Sequence, residues 1–480
     1  TDPACVTTST TTTTFTVTSV FSSCRWLQAT PYDDTFECVN GTLCVGETCC
    51  AAGGGRARCP NNMPTMCNNR TCGGGSSYCC HHGACDPFQG RRICADAVKV
   101  AAGGLHSVFL AGDGFAWAAG DNAYGQLGDG TVLRRMTPAQ VMEGVQAVHS
   151  FHHTLFVKRD GSLWGTGWNN KGQLGDGTTT DRLSPIEMVH GVRAASAGMS
   201  HSLFLRNDGT AWAVGDNEHG QLGDGTTTGR LAPVQVLTNV EAVSAGSYHS
   251  LFLKSDGTVW AAGWNLYGQL GDGTNVTRYW PVQVFSQAVS VEGGNAHTVF
   301  LKSDKTAWTS GHNQAGQLGD GTQLNVFSPA QVMTNVDQAS AGSRHTLFLR
   351  ADGTMWACGF NLFGQLGHAG GQANVITPTQ VLGDVLAVSA GDTHSIIVRK
   401  NGWAQTTGSN GAAQLGDGTF DHKWAPVDVL DLWPTPTSTT TTTVLSTWTH
   451  TTTRTTRFLC EPNVFPVQPL EGYSAEGFLP

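Results

Sequence analysis

"VEAVSAGSYHSLFLKSDGTVWAAGWNLYGQLGDGTNVTRYWPVQVF" runs from Val240 to Phe285 and holds four short β-type runs: VEAVSA, HSLFLK, TVWAAG and PVQVF. Turns containing Gly, Asp or Asn separate them, and Asp256-Gly257 between two apolar runs is a hairpin signal, because Gly takes the left-handed dihedrals of a tight turn. Helical periodicity is absent. Four strands in about 48 residues is the size of one propeller blade, and blades set radially bury their faces on each other.

The unit returns along the chain. The Gln of GQLGDGT falls at Gln126, Gln173, Gln221, Gln269, Gln317, Gln365 and Gln414, with steps of 47, 48, 48, 48, 48 and 49. A period this constant requires one structural unit per repeat, each touching its neighbours. The expected fold class is therefore all-β: a seven-bladed β-propeller of four-stranded blades over residues 98–432. The last strand-like run, Pro426 to Leu430, has no repeat after it, and is expected to complete the first blade and close the ring.

Four other segments flank the repeats: a Thr-rich N-terminal segment (1–23), a Cys-rich segment (24–94), a Thr/Pro-rich linker (433–457) and a C-terminal tail (458–480). The Thr-rich stretches have too little apolar content to pack and read as extended, O-glycosylated stalks or plain linkers. Twelve of the fifteen cysteines lie in the second segment: Cys24, Cys38, Cys44, Cys49, Cys50, Cys59, Cys67, Cys72, Cys79, Cys80, Cys85 and Cys94. This even, dense set predicts a small disulfide-rich N-terminal module and an oxidising compartment, extracellular or at the cell surface. Sequons at Asn40, Asn69 and Asn275 are candidate glycosylation sites. Cys358 lies in a strand and is expected to be a buried free thiol. The chain begins at Thr1, which fits removal of a signal peptide or a fragment.

Composition narrows the function classes. Charged residues make up 13% and the net charge is -9, so no general attraction to nucleic acid or an anionic membrane is expected. No apolar run reaches the roughly 18 residues of a membrane-crossing helix.

The pattern A-G-x-x-H-S/T, then D-G-x-x-W-x-x-G-x-N-x-x-G-Q-L-G-D-G-T, then P-x-x-V resembles the regulator of chromosome condensation repeat family. The resemblance implies a seven-bladed propeller used mainly to bind proteins, with guanine-nucleotide exchange, ubiquitin-ligase targeting and light sensing among the family's roles. Spacings of 47 to 49 leave no room for the β-wedge of the founding exchange factor. The residues before the motif His include no Trp, which argues against ultraviolet sensing of the plant photoreceptor kind.

The repeated groups read as structure. One His per blade (His106, His153, His201, His249, His297, His345, His394) is spread around a ring rather than converging as metal ligands must, so hydrogen bonding is expected of them. The Asp of GDGT has neither the Lys of a phosphate loop nor the terminal Glu of a calcium loop, and turn chemistry accounts for it. The Trp at 117, 164, 212, 260, 308 and 356 is expected to pack between blades. No metal, cofactor or catalytic constellation is expected.

Recognition is sought where repeats differ at equivalent loop positions. Trp168, Trp264, Tyr267, Phe360 and Phe363, with Tyr248 and Arg344 from the other loop set, form the candidate binding patch. The expected function is a secreted or surface-displayed, non-enzymatic propeller recognising a protein or glycan through one face. The alternatives are an intracellular regulator, such as an exchange factor or ubiquitin-ligase scaffold, and a polysaccharide hydrolase or lyase.

Overall fold

The computed structural model describes residues 99–368 and 371–430. Twenty-eight strands form seven four-stranded antiparallel sheets. In the first, β1 (Lys99–Ala102), β2 (His106–Leu110), β3 (Ala116–Gly120) and β4 (Arg135–Met142) lie in chain order, each paired with the next. The other six sheets repeat this meander, so each sequence repeat is one blade of a seven-bladed propeller. The predicted disulfide module, the sequons at Asn40 and Asn69, and the Thr-rich segments lie outside the described residues.

In the repeat quoted above, the strands are Val240–Ala245, His249–Lys254, Val259–Gly263 and Arg278–Phe285. The fourth begins at Arg278, three residues before Pro281. Proline is tolerated there because the strand is outermost, and the register shifts between Ala261 and Gly263. The second strand is apolar on both faces because a neighbouring blade covers each side, and its first five residues are buried.

The core lies between blades. Phe252 packs with Leu203, Leu205 and Leu222 of the preceding blade. Phe109, Phe156, Phe204, Phe300 and Phe348 occupy the same position, and all six are essentially inaccessible. Each contributes about 2–3 kcal/mol of burial. Trp260 stands opposite Phe252, half-buried, under the Lys254 ammonium at 4.5 Å. Packing between blades thus accounts for the repeated Trp.

The last strand departs from expectation. Lys423–Asp428 pairs with Ala404–Gly408 as the fourth strand of its own blade and does not complete the first. The ring closes through turns and side chains: Gly418 N–H donates to Met136 O at 3.0 Å, and Ala102 N–H to Ser389 Oγ at 3.0 Å. Phe109 packs with Ile396 and Ala404 across the same junction. Equivalent corner bonds join each of the first five blades to the next, as Gly273 N–H to Phe327 O at 2.9 Å does. The seventh junction therefore closes without strand exchange.

Candidate functional site

GQLGDGT is the corner that fastens each blade to the next. In the fourth blade, Leu270 is fully buried, and Asn265 Oδ1 accepts its N–H at 3.0 Å. Asn265 Nδ2 donates to Asp272 Oδ1 at 2.9 Å, and Gln269 Oε1 accepts the Tyr267 N–H at 3.1 Å. Gly268 has φ +82, and a Cβ there would stand 2.7 Å from Phe327 Cα of the next blade. Only glycine permits that approach.

Asp272 Oδ2 accepts from Arg278 Nε at 2.7 Å. Burial works against the Asp272 charge, but hydrogen bonds from Thr274, Arg278 and Asn265 outweigh it and hold the carboxyl below its ordinary range. Sequence reasoning gave no role to the Asn or to this Arg. The signal was present in the cation that opens most fourth strands: Arg135, Arg182, Arg230, Arg278 and Lys423.

The seven histidines form a closed hydrogen-bonded ring. His249 Nε2 meets Thr298 Oγ1 of the next blade at 3.0 Å, and that hydroxyl donates to Gln269 O at 2.6 Å. With its proton committed to the carbonyl, the hydroxyl accepts, so Nε2 carries the imidazole proton. The same relay runs at every junction and ends with His394 Nε2 on Ser107 Oγ at 3.0 Å, while Ser107 donates to Gln414 O at 2.6 Å. Burial pushes His106, His201, His249, His297, His345 and His394 down to about 3, and His153 well below its ordinary value. These rings are neutral fasteners. Cys358 is a buried free thiol whose Sγ points at Gln317 O, and burial raises its pKa.

The turns between first and second strands and the long loops between third and fourth strands emerge at the same end of every blade. Trp264 N–H, from one loop set, donates to Tyr248 O of the other at 2.9 Å. The predicted patch gathers there in three groups. Trp264 contacts Tyr248 and Tyr267 edge-on, with centroids 5.8 and 5.3 Å apart. Phe360 and Phe363 lie 6.2 Å apart, with the Arg344 guanidinium 5.6 Å over Phe360. Trp168 stands apart from both, against Tyr124 and His152 at 5.7 and 5.3 Å.

Residues outside the predicted set extend these groups. His219 touches Tyr248 and Trp264, His312 lies 4.6 Å from Tyr267, and His422 bridges Phe363 to Trp424. Burial lowers His312 and His152, so both are uncharged at neutral pH. The predicted aromatics are half-buried and Arg344 is exposed. Leu266 and Leu362, at the loop tips beside them, are 52% and 42% exposed. The result is an apolar arc with aromatic walls and a few fixed charges, among them Lys171 paired with Glu218 at 2.5 Å. Such a surface recognises apolar and cationic groups. Asn275 is exposed on the loop before Arg278. Among the described residues, no cluster of His, Cys, Asp or Glu has the arrangement of a metal site, and no helix is long and apolar enough to cross a membrane.

A family profile described as an RCC1-like domain matches residues 71–335, and profiles of the regulator of chromosome condensation (RCC1) repeat match 336–365 and 352–398. Similar solved structures include yeast RCC1 (Prp20) bound to Kap60, 21% identical, covering 65% of this chain and 83% of that one, with a TM-score of 0.58. Prp20p from Saccharomyces cerevisiae, described with its binding properties to Gsp1p and histones, is 23% identical over 67% and 87%, with a TM-score of 0.59. Human WBSCR16 is 22% identical over 66% and 94%, also at 0.59. At these identities the likeness is one of fold. No curated protein matches the chain.

Proposed function

We propose, from the premise that this chain belongs to the regulator of chromosome condensation (RCC1-like) family, that it is a non-enzymatic, protein-binding regulator that captures its partner on the loop face. The observation carrying this reading is the aromatic arc, whose residues change from blade to blade while the joints beneath them repeat. Half-buried aromatic anchors flanked by exposed leucines supply the apolar centre that protein interfaces use. The test is capture by the full chain, comparing wild type with Trp264→Ala, Tyr267→Ala and Phe360→Ala. Loss of the captured protein in these variants, with retention in the flank variant Trp280→Ala, supports the loop face. Equal capture by all refutes it. A glycan array run in parallel decides whether the same face takes sugar.

A second reading, an intracellular exchange factor, is favoured by the likeness to Prp20p, whose description names Gsp1p and histones. It fits the family relatives better than secretion does. Nucleotide release from Gsp1p on adding the chain would support it, and no change would remove it. The extracellular setting rests on the cysteines from Cys24 to Cys94 alone. Free thiols at these positions in the native protein would overturn it.

A further inference from the structure

The blade joint carries its own internal control. In five blades the Asp of GDGT holds a cation from the start of the fourth strand: Asp129 with Arg135 at 2.6 Å, Asp176 with Arg182, Asp224 with Arg230 at 2.6 Å, Asp272 with Arg278 at 2.7 Å, and Asp417 with Lys423 at 3.4 Å. The sixth blade lacks both members, with His368 and Val375 in their places. The fifth blade alone keeps the acid and loses the cation. Val326 stands opposite Gly311 where Arg278 stands opposite Gly263.

The acceptor side of the site is otherwise complete. Asn313 Nδ2 donates to Asp320 Oδ1 at 2.9 Å, as does Thr322 N–H at 2.9 Å, and the Thr322 hydroxyl lies 2.9 and 3.0 Å from the two oxygens. No Lys, Arg or His of the described residues pairs with Asp320. In the Arg-bearing blades, Oδ2 receives the guanidinium, so this lobe of Asp320 lacks the cation its siblings hold.

A groove of about 560 Å³ opens at that place, on the outer flank between the fifth and sixth blades. Asp320, Gln331 and Thr334 line it from one blade, and Arg350, Trp356 and Thr377 from the other. Arg350 is stacked 4.3 Å over Trp356. It is held there and does not pair with Asp320.

We propose that Asp320 and this groove receive an arginine side chain from an extended segment of a partner protein. A guanidinium fits because four sibling sites already bind one in the same carboxylate frame. The fork of Arg donates two N–H bonds toward Oδ2, as Arg278 does through Nε and Nη2. Gln331, Thr334 and Thr377 offer polar groups to the backbone of the segment. The site is on the flank and is distinct from the aromatic arc.

The sibling blades also supply the test. Val326→Arg would place the missing cation on Asp320 from within, as in the first four blades, and so block the site while keeping the fold. Asp320→Asn would remove the charge. The probe is the capped peptide Gly-Arg-Gly, compared with Gly-citrulline-Gly, which keeps the shape without the charge, titrated onto the full chain and followed by NMR. The arginine peptide should shift resonances of Trp356 and Thr322, with the citrulline peptide and both variants bound about tenfold more weakly or not at all. Unchanged thermal midpoints for the two variants would exclude misfolding as the cause of loss. Equal binding of the two peptides, or binding to Val326→Arg as strong as to wild type, overturns the proposal, as does absence of binding to wild type.

Discussion

Mild acid should unfold this propeller, and the histidine ring sets the scale. Seven imidazoles are neutral in the fold, six held at about 3 and His153 well below its ordinary value, whereas unfolding returns each to the usual 6.5. Their folded pKa is lowered, so between about 3 and 6.5 the unfolded chain binds more protons, and stability falls as pH falls. From pH 7 to pH 5 each histidine loses about 2 kcal/mol, and the seven together roughly 13 kcal/mol.

Two groups oppose this. Burial raises Glu292, on the first strand of the fifth blade, and Asp392, two residues before His394, to about 7, so both bind protons in the fold before they do in the unfolded chain. Over the same interval they return about 4 kcal/mol. His149, lowered to about 4 by burial, adds about 2 kcal/mol on the losing side. The balance is a loss of roughly 11 kcal/mol, comparable with the whole stability of an ordinary domain. The assay is the urea midpoint, followed by tryptophan fluorescence and far-ultraviolet circular dichroism at half-unit steps from pH 8 to pH 4.5. A midpoint that stays flat between pH 7 and pH 5 would refute the neutral-ring argument.

Two stability measurements probe the joints. Ser107→Ala strands the His394 Nε2–H and the Gln414 carbonyl at the ring closure and should cost about 2–3 kcal/mol. Ser107→Thr should remain near wild type, because Thr154, Thr298 and Thr346 do the same work elsewhere; an equal loss in both variants would place the cost in packing instead. Ala413 stands where the other six blades have Gly, at φ +61. Ala413→Gly should raise the unfolding free energy by about 0.5–1 kcal/mol, the left-handed strain relieved less the added chain entropy, and a lowered urea midpoint would count against that strain.

The blade count and strand order were legible because every repeat states them again. Seven copies of a four-run pattern admit few readings, and the turn at Asp256-Gly257 has its own chemistry. The ring closure was misread for a physical reason. The sequence shows an unmatched last strand, Pro426 to Leu430, but does not show that the joints rest on loops and side chains. Once Gly418 reaches Met136 as Gly273 reaches Phe327, no strand has to be shared. The candidate aromatics can be named from the sequence, but the way they group in space cannot. Trp168 packs between Tyr124 of the preceding blade and His152 of its own, as Trp264 does between His219 and Tyr248, but Lys171 stands where Tyr267 extends the Trp264 group.

The same comparison separates support from recognition. Where a position repeats seven times, as with the buried Leu of GQLGDGT, it answers a demand present at every joint, and a change there is felt as stability. Where equivalent loop positions hold Asp121, Trp168, Asp216, Trp264, His312, Phe360 and Ser409, the demand is not shared: Asp121, Asp216 and His312 accept the Gln amide of GQLGDGT, whereas the aromatics leave it unpaired and, under the proposed function, answer a partner. Asp320 belongs to neither set, since the acid obeys the repeat and its cation does not. An ion pair whose Arg is partly exposed is worth about 0–1 kcal/mol, so Val326 in the place of Arg costs the fifth blade little stability. What stands there is a carboxylate whose hydrogen-bonded frame is already built, beside a groove, with no cation on its Oδ2.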